Sequence, residues 1–260
     1  MSIITLTTDF GNKNYYVGAM KGLIMKNAPD AMIIDISHDI QPFNITEAAW
    51  VVENSFRNFP ESTVHLVCVN LQDNKKNRKL LVRYENYFFI GSDNGFFSLL
   101  MKNPAQEIIA MHDIPQNDTA KSPIRDYFSI MASRILSGEQ ISSLGVATSQ
   151  FEIRTTLQPL VSDSGLRGTV IHVDHFCNVI VNIHKDLFEE ARRNRKFSVH
   201  FNRTDQINQI SKNYFDVQEG ERICLFNSSG FLKIAINKGK ASKLLGLKNG
   251  DAVMIDFENN

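Results

Sequence analysis

The chain has 260 residues, 43% of them hydrophobic, and its 28 basic residues are balanced by 28 acidic ones. That length and composition suit one large domain or two modest ones with a sizeable core, and the absence of net charge argues against nucleic-acid and membrane-surface partners, which favour basic excess. Cys68, Cys177 and Cys224 are odd in number and far apart, so neither a disulfide framework nor a metal-ligand spacing is present. No metal is implied, and a reducing, cytoplasmic setting is expected. No signal peptide is expected either, and no apolar run is long enough to cross a bilayer.

In chain order, residues 3–7 form a first predicted strand and 16–25 a helix, followed by a strand over 31–36. The next helix spans 44–59, with Ile45, Ala48, Ala49, Val52 and Phe56 on one face and Asn44 or Thr46 as its cap. A third strand covers 63–69, a hairpin joins 80–84 to 87–90 across Glu85-Asn86, and a helix covers 127–136. Alternation of this kind predicts an α/β domain with a mostly parallel sheet. The character changes at Gln158-Pro159 and Ser162-Asp163-Ser164-Gly165, which read as a linker. Beyond it short strands dominate, over 168–173, 178–183, 197–201, 222–226, 231–236 and 252–257, with one helix over 186–193. Their spacing predicts a small β-barrel. The expected division is an α/β domain over 1–157, a linker over 158–165 and a β-barrel domain over 166–260.

Three stretches carry candidate chemistry. Thr7-Thr8-Asp9-Phe10-Gly11 puts a carboxylate at the end of the first strand, where open α/β sheets bind ligands. As a lone motif, Asp9 is better explained as the cap of a turn. Asp174-His175-Phe176-Cys177-Asn178 sets an acid, an aromatic and an amide within five residues: the acid can pair with an ammonium, the ring can stack on a base, and the amide can match a ring edge. Asn227-Ser228-Ser229-Gly230 reads as a tight hairpin leading into a core strand.

Taken together and in order, these stretches resemble the S-adenosyl-L-methionine hydroxide adenosyltransferases, the family that includes fluorinase and chlorinase. The family pattern T-T-D-F-G, Y-V-G-A-M-K-G, P-F-x-I-x-E-A-A is matched by residues 7–11, 16–22 and 42–49, and S-S-G-x-L-x-I-A-x-N by 228–237. The resemblance implies an adenosyl ligand, S-adenosyl-L-methionine as substrate or ligand with no separate cofactor, and homotrimers with sites between subunits. It assigns Asp9 to the ribose diol, with Phe10 beside it, and Phe43 to a wall near the sugar. Asp174 falls to the α-ammonium, Phe176 and Asn178 to adenine, Ser229 to the methionine carboxylate, and Tyr214, next to Phe215, to the adenine face. Ile90-Gly91-Ser92-Asp93-Asn94-Gly95 is similar to the family's G-P-D-N-G turn and is explained by structure alone.

The family hydrolyses its substrate to adenosine and L-methionine with an Asp, an Arg and a His. Here Asn70, Asn77 and Pro123 stand at those positions, and Asn14 replaces an acid near the methionine end. Asn70 is no general base near neutral pH, and Pro123 has no proton to exchange. Asp73, Arg78, Arg125 and Asp126 are the nearby groups that could substitute. The halogenases also lack the triad, but Ser122 is out of register with their serine. The expectation is a ligand-binding member of the family with slow turnover or, alternatively, a non-catalytic sensor of an adenosine ligand. Cys177, at a position where the family usually has glycine, is expected to shift the backbone.

Overall fold

A computed structural model describes residues 2–71, 78–112, 124–201 and 206–258. Asn77 and Pro123, with Asp73 and Ser122, lie outside the described residues. The chain divides into two compact units, Met1–Thr156 and Leu157–Asn260.

The first unit runs β1 (Ile3–Thr8), α1 (Tyr16–Asn27), β2 (Met32–Ser37), α2 (Ile45–Glu53), β3 (Val64–Cys68), β4 (Lys79–Tyr84), β5 (Tyr87–Ser92), α3 (Phe96–Leu100), β6 (Glu107–Met111), α4 (Ile124–Leu136) and β7 (Gly145–Ala147). Its seven strands lie in the order β2-β1-β3-β5-β4-β6-β7. The sheet is mixed, not mostly parallel: β1 pairs in parallel with β2 and β3, and β3 with β5, whereas β4, β6 and β7 are antiparallel to their neighbours. The antiparallel half grows from the β4–β5 hairpin, whose Glu85 (φ 49°) and Asn86 (φ 65°) both take the left-handed conformation of a two-residue turn.

Helices cover both faces, and the period-2 alternation of the strands divides the core between them. Leu66 and Cys68 of β3 pack with Met20 and Ile24 of α1 and Phe128 and Met131 of α4. On the other face, Val67 packs with Ile45, Ala48 and Val52 of α2 and Phe96, Phe97 and Leu100 of α3. The α2 helix starts at Asn44, whose side chain accepts from the Glu47 N–H at 3.1 Å, and it ends at Glu53; Phe56 belongs to a separate single turn.

The second unit runs β8 (Leu160–Ser162), β9 (Gly165–Val173), β10 (Val179–His184), α5 (Lys185–Arg192), β11 (Phe197–His200), β12 (Gln206–Ile207), β13 (Arg222–Phe226), β14 (Phe231–Ile236), α6 (Ala241–Leu244) and β15 (Ala252–Phe257). The antiparallel order is β12-β11-β15-β9-β10-β14-β13, with β8 also paired to β9, so the stretch read as a linker contributes a strand. The Ser211 N–H donates to the Cys224 carbonyl at 2.8 Å, bringing the two ends of the sheet together. The result is a nearly closed, barrel-like sheet around Val181, Phe188, Val199, Ile234 and Ile255. Among the described residues, no helix is long and apolar enough to cross a membrane.

Candidate ligand site

In the first unit the chain leaves β1 for β2 on one side and later lays β3 on the other. That reversal marks a topological switch point at the carboxyl ends of β1 and β3, the place where open α/β sheets take ligands. Asp9 immediately follows β1 and Asn70 lies two residues past β3. One oxygen of Asp9, Oδ2, accepts the backbone N–H of Phe43 at 2.9 Å and that of Asn70 at 3.0 Å. Both donors have left-handed backbone, Phe43 at φ 68° and Asn70 at φ 52°, a conformation that costs a side-chain-bearing residue about 1–2 kcal/mol. Two strained residues therefore converge on one carboxylate oxygen. The other, Oδ1, makes no hydrogen bond within the described residues.

Around this carboxylate, Phe10 is half-buried with its ring edge-on to Tyr16 at 5.8 Å, and Phe43 is 72% exposed at the loop tip. Asn14 is exposed. Arg125, buried near the start of α4, lies 5.8 Å from the Tyr16 ring centre and hydrogen bonds Asp126 Oδ1 at 2.7 Å. Burial pushes the Cys68 thiol up; Asp9 adds to that shift and Arg125 opposes it, so both charges bear on the end of β3. Arg78 points to other work. Its guanidinium donates to Asp93 Oδ2 at 2.7 Å and to the Gln150 carbonyl at 2.6 Å, while Asn94 Nδ2 donates to the Val69 carbonyl at 3.1 Å. The turn at 93–94 thus holds the β3 exit in place.

In the second unit, Asp174 to Asn178 form the β9–β10 turn. Asp174 Oδ1 accepts the Asn178 backbone N–H at 2.9 Å, and Oδ2 accepts the Asn178 side-chain N–H at 2.8 Å. With one of its two Nδ2 hydrogens bonded to Asp174, Asn178 keeps its Oδ1 as an acceptor. Cys177 sits at φ 64°, the left-handed geometry that glycine adopts freely, and Phe176 is 73% exposed. Ser229 is partly buried in the β13–β14 turn, where Asn227 Oδ1 accepts the N–H groups of Ser229 at 3.0 Å and Phe231 at 2.9 Å. Gly230 closes that turn at φ 80°, and a Cβ there would collide with His184 Nε2. Tyr214 is half-buried against Ile223, Leu225 and Ala235; its neighbour Phe215 is the outward aromatic, 90% exposed.

The SAM hydroxide adenosyltransferase N-terminal domain profile matches residues 4–145, and the C-terminal domain profile of the same name matches 168–254. The chain belongs to the SAM hydroxide adenosyltransferase family. It is 33% identical over 267 residues to the (R)-S-adenosyl-L-methionine hydrolase of Methanocaldococcus jannaschii, covering 99% of this chain and 97% of that protein. It is 24% identical over 288 residues to the fluorinase of Actinopolyspora mzabensis, covering 97% and 96%. The crystal structure of an uncharacterized conserved protein from Thermotoga maritima superposes with a TM-score of 0.86 at 30% identity, covering 98% of this chain and 100% of that one.

Within this family member, sequence reading picked out Asp9 but missed its holders. His38 is buried just after β2; its Nδ1 lies 2.9 Å from Thr8 Oγ1, and its carbonyl accepts the Gly11 N–H at 2.8 Å. The available signal was a histidine and a threonine ending neighbouring parallel strands.

Proposed function

We propose that the protein binds S-adenosyl-L-methionine through its adenosyl group and, where it turns the ligand over, catalyses hydrolysis to adenosine and L-methionine. The observation that carries this reading is Asp9 at the β1–β3 switch point, with Oδ2 held by two backbone N–H groups and Oδ1 left to accept from a ribose hydroxyl. Phe43 would wall the sugar. In the second unit Asp174 would pair with the α-ammonium, Phe176 would stack on adenine, Asn178 Oδ1 would accept from the adenine amino group, and Ser229 would donate to the carboxylate, with Tyr214 near the base. Homotrimeric assembly, with each site shared between neighbouring subunits, belongs to the same proposal, as does preference for the (R) sulfonium epimer named for the archaeal relative.

Hydrolysis joins a water oxygen to C5′, breaks the C5′–S bond, releases methionine as a neutral thioether and sheds one proton. The sulfonium is a good leaving group, so positioning and electrostatics are what a protein adds. Asn70, Asn77 and Pro123 replace the family's Asp, Arg and His, which favours slow turnover. The same replacement favours a second reading, a sensor that binds an adenosine ligand without chemistry.

Incubation with each epimer, with adenosine and methionine followed by chromatography and binding by calorimetry, separates the readings. Adenosine formation abolished by Asp9→Ala supports a hydrolase, and binding without product supports the sensor. Binding untouched by both Asp9→Ala and Asp174→Ala would overturn the proposed site.

A further inference from the structure

We infer that His38 is a positioning residue for Asp9, acting from the connection between β2 and α2; this deepens the ligand reading above and rests on it. Three contacts from that one connection meet the turn that carries Asp9. The His38 imidazole bonds Thr8 Oγ1 ahead of Asp9 at 2.9 Å. The His38 carbonyl accepts the Gly11 N–H behind it at 2.8 Å. Phe43, five residues further on, donates to the carboxylate itself at 2.9 Å. His38 therefore grips the turn on both sides of the acid, and its chain goes on to supply one of the two donors that orient it.

The imidazole is itself held. His38 is 5% exposed, and its Nε2 lies 3.0 Å from Asp35 Oδ1, an ion-pair distance without hydrogen-bond alignment. Asp35 Oδ2 in turn bonds Lys21 Nζ of α1 at 2.6 Å. A carboxylate beside Nε2 favours the proton there, which leaves Nδ1 to accept the Thr8 hydroxyl hydrogen. Thr8 Oγ1 then keeps a lone pair for the Phe10 N–H at 3.4 Å. The Thr8 hydroxyl and the Phe10 N–H each have an acceptor in this arrangement, and a fixed acid needs that order, because a hydrogen-bond partner displaced by about 1 Å loses much of its effect. The Lys21–Asp35–His38–Thr8 chain thus ties α1 and the ends of β1 and β2 to the turn that carries Asp9.

The test is a double-mutant cycle on the full-length protein, with adenosine and S-adenosyl-L-methionine as calorimetric probes. The variants are H38A, H38N, D9N and the pair D9N/H38A. H38A is expected to weaken binding about tenfold, the worth of one buried hydrogen bond. H38N, whose side-chain oxygen can stand where Nδ1 accepts, should restore most of it. In the D9N background H38A should cost nothing further, because His38 acts through the acid. An equal loss in both backgrounds would overturn the proposal in favour of a general packing role. Amide hydrogen exchange gives a readout that needs no ligand. Faster exchange at Gly11, Phe43 and Asn70 in H38A, reversed in H38N, supports the brace even if neither probe binds and the ligand reading falls. Unchanged exchange in H38A would sink the brace.

Discussion

Asp9 and Asp174 are both acids at strand ends, and each orients neighbouring groups, but they are held in opposite ways. Asp9 takes its N–H donors from residues 34 and 61 positions away, so its geometry exists only when β1, β3 and the loop before α2 are assembled. Asp174 is tied to Asn178, four positions away, inside a single hairpin turn. The Ser229 turn is equally local, with Asn227 bonding residues two and four further on. The Asp9 arrangement is a product of the tertiary fold, whereas those of Asp174 and Ser229 are written into two turns. Changes that loosen the first unit should therefore disorganise Asp9 while leaving Asp174 and Ser229 in place.

Acid is the strongest way to test that contrast. Among the described residues the two buried histidines, His38 and His65, both lie in the first unit. His65 hydrogen bonds Thr5 Oγ1 at 2.7 Å and stacks on Phe89 at 4.9 Å, and burial pushes its pKa down from 6.5 to about 3. Between those values the unfolded chain binds a proton that the folded one refuses, so stability rises with pH there. The contribution is complete above pH 6.5 and is lost progressively towards pH 3, on the order of 5 kcal/mol in all. Hydrogen exchange at pH 4 should show β1 and β3 losing protection before β10 and β14. His65→Phe, which keeps an aromatic ring in the stack, should flatten that pH dependence. Equal loss of protection in both units would break the contrast.

Asp174→Ala is the next largest effect. It removes both acceptors of Asn178 and leaves the amide of a residue only 6% exposed without its partner, a cost of about 2 kcal/mol. If the site is local, the loss stays in the second unit. Urea unfolding should move to lower midpoint while exchange at Phe43 and Asn70 stays as in the wild type. Ligand affinity should fall by more than the stability change accounts for.

The same contrast governs what was legible in the chain. The strands over 222–226, 231–236 and 252–257 were read to the residue, because each is a short apolar run between turns. The β4–β5 hairpin was also legible from Glu85-Asn86, yet the sheet was expected to be mostly parallel. Its antiparallel half depends on β6 and β7, strands of five and three residues with little alternation to announce them. Asp174 and Asn178 were singled out as an acid and an amide within five residues, and their pairing lies inside that span, whereas Ser229 was singled out by the family resemblance alone. Asp9 could be picked out as a strand-end acid, but not the amides that hold it. A backbone N–H has no residue signature, and a phenylalanine at positive φ gives none of the warning that Gly or Asn would give. Asn70 drew attention as a missing catalytic side chain, whereas the structure uses its main chain.

Backbone strain gives the smallest and sharpest comparison. Phe43 and Cys177 share nearly the same left-handed φ, 68° and 64°, one in each unit. Glycine relieves that strain at either position but gives back some of the gain through the greater freedom of the unfolded chain, so the net stabilisation is about 0.5 kcal/mol. Cys177 contributes its carbonyl to the Ser242 N–H at 2.8 Å, a bond that any residue can make. Cys177→Gly should therefore raise the urea midpoint slightly and leave affinity unchanged. Phe43→Gly relieves the same strain and keeps the N–H to Asp9, but it deletes an exposed ring whose only evident use is to meet something else. Its stability should rise by a similar amount while affinity for an adenosine ligand falls. If Phe43→Gly left affinity intact, the left-handed conformation at that loop would serve Asp9 through the backbone alone, and the proposed sugar wall would have to be dropped.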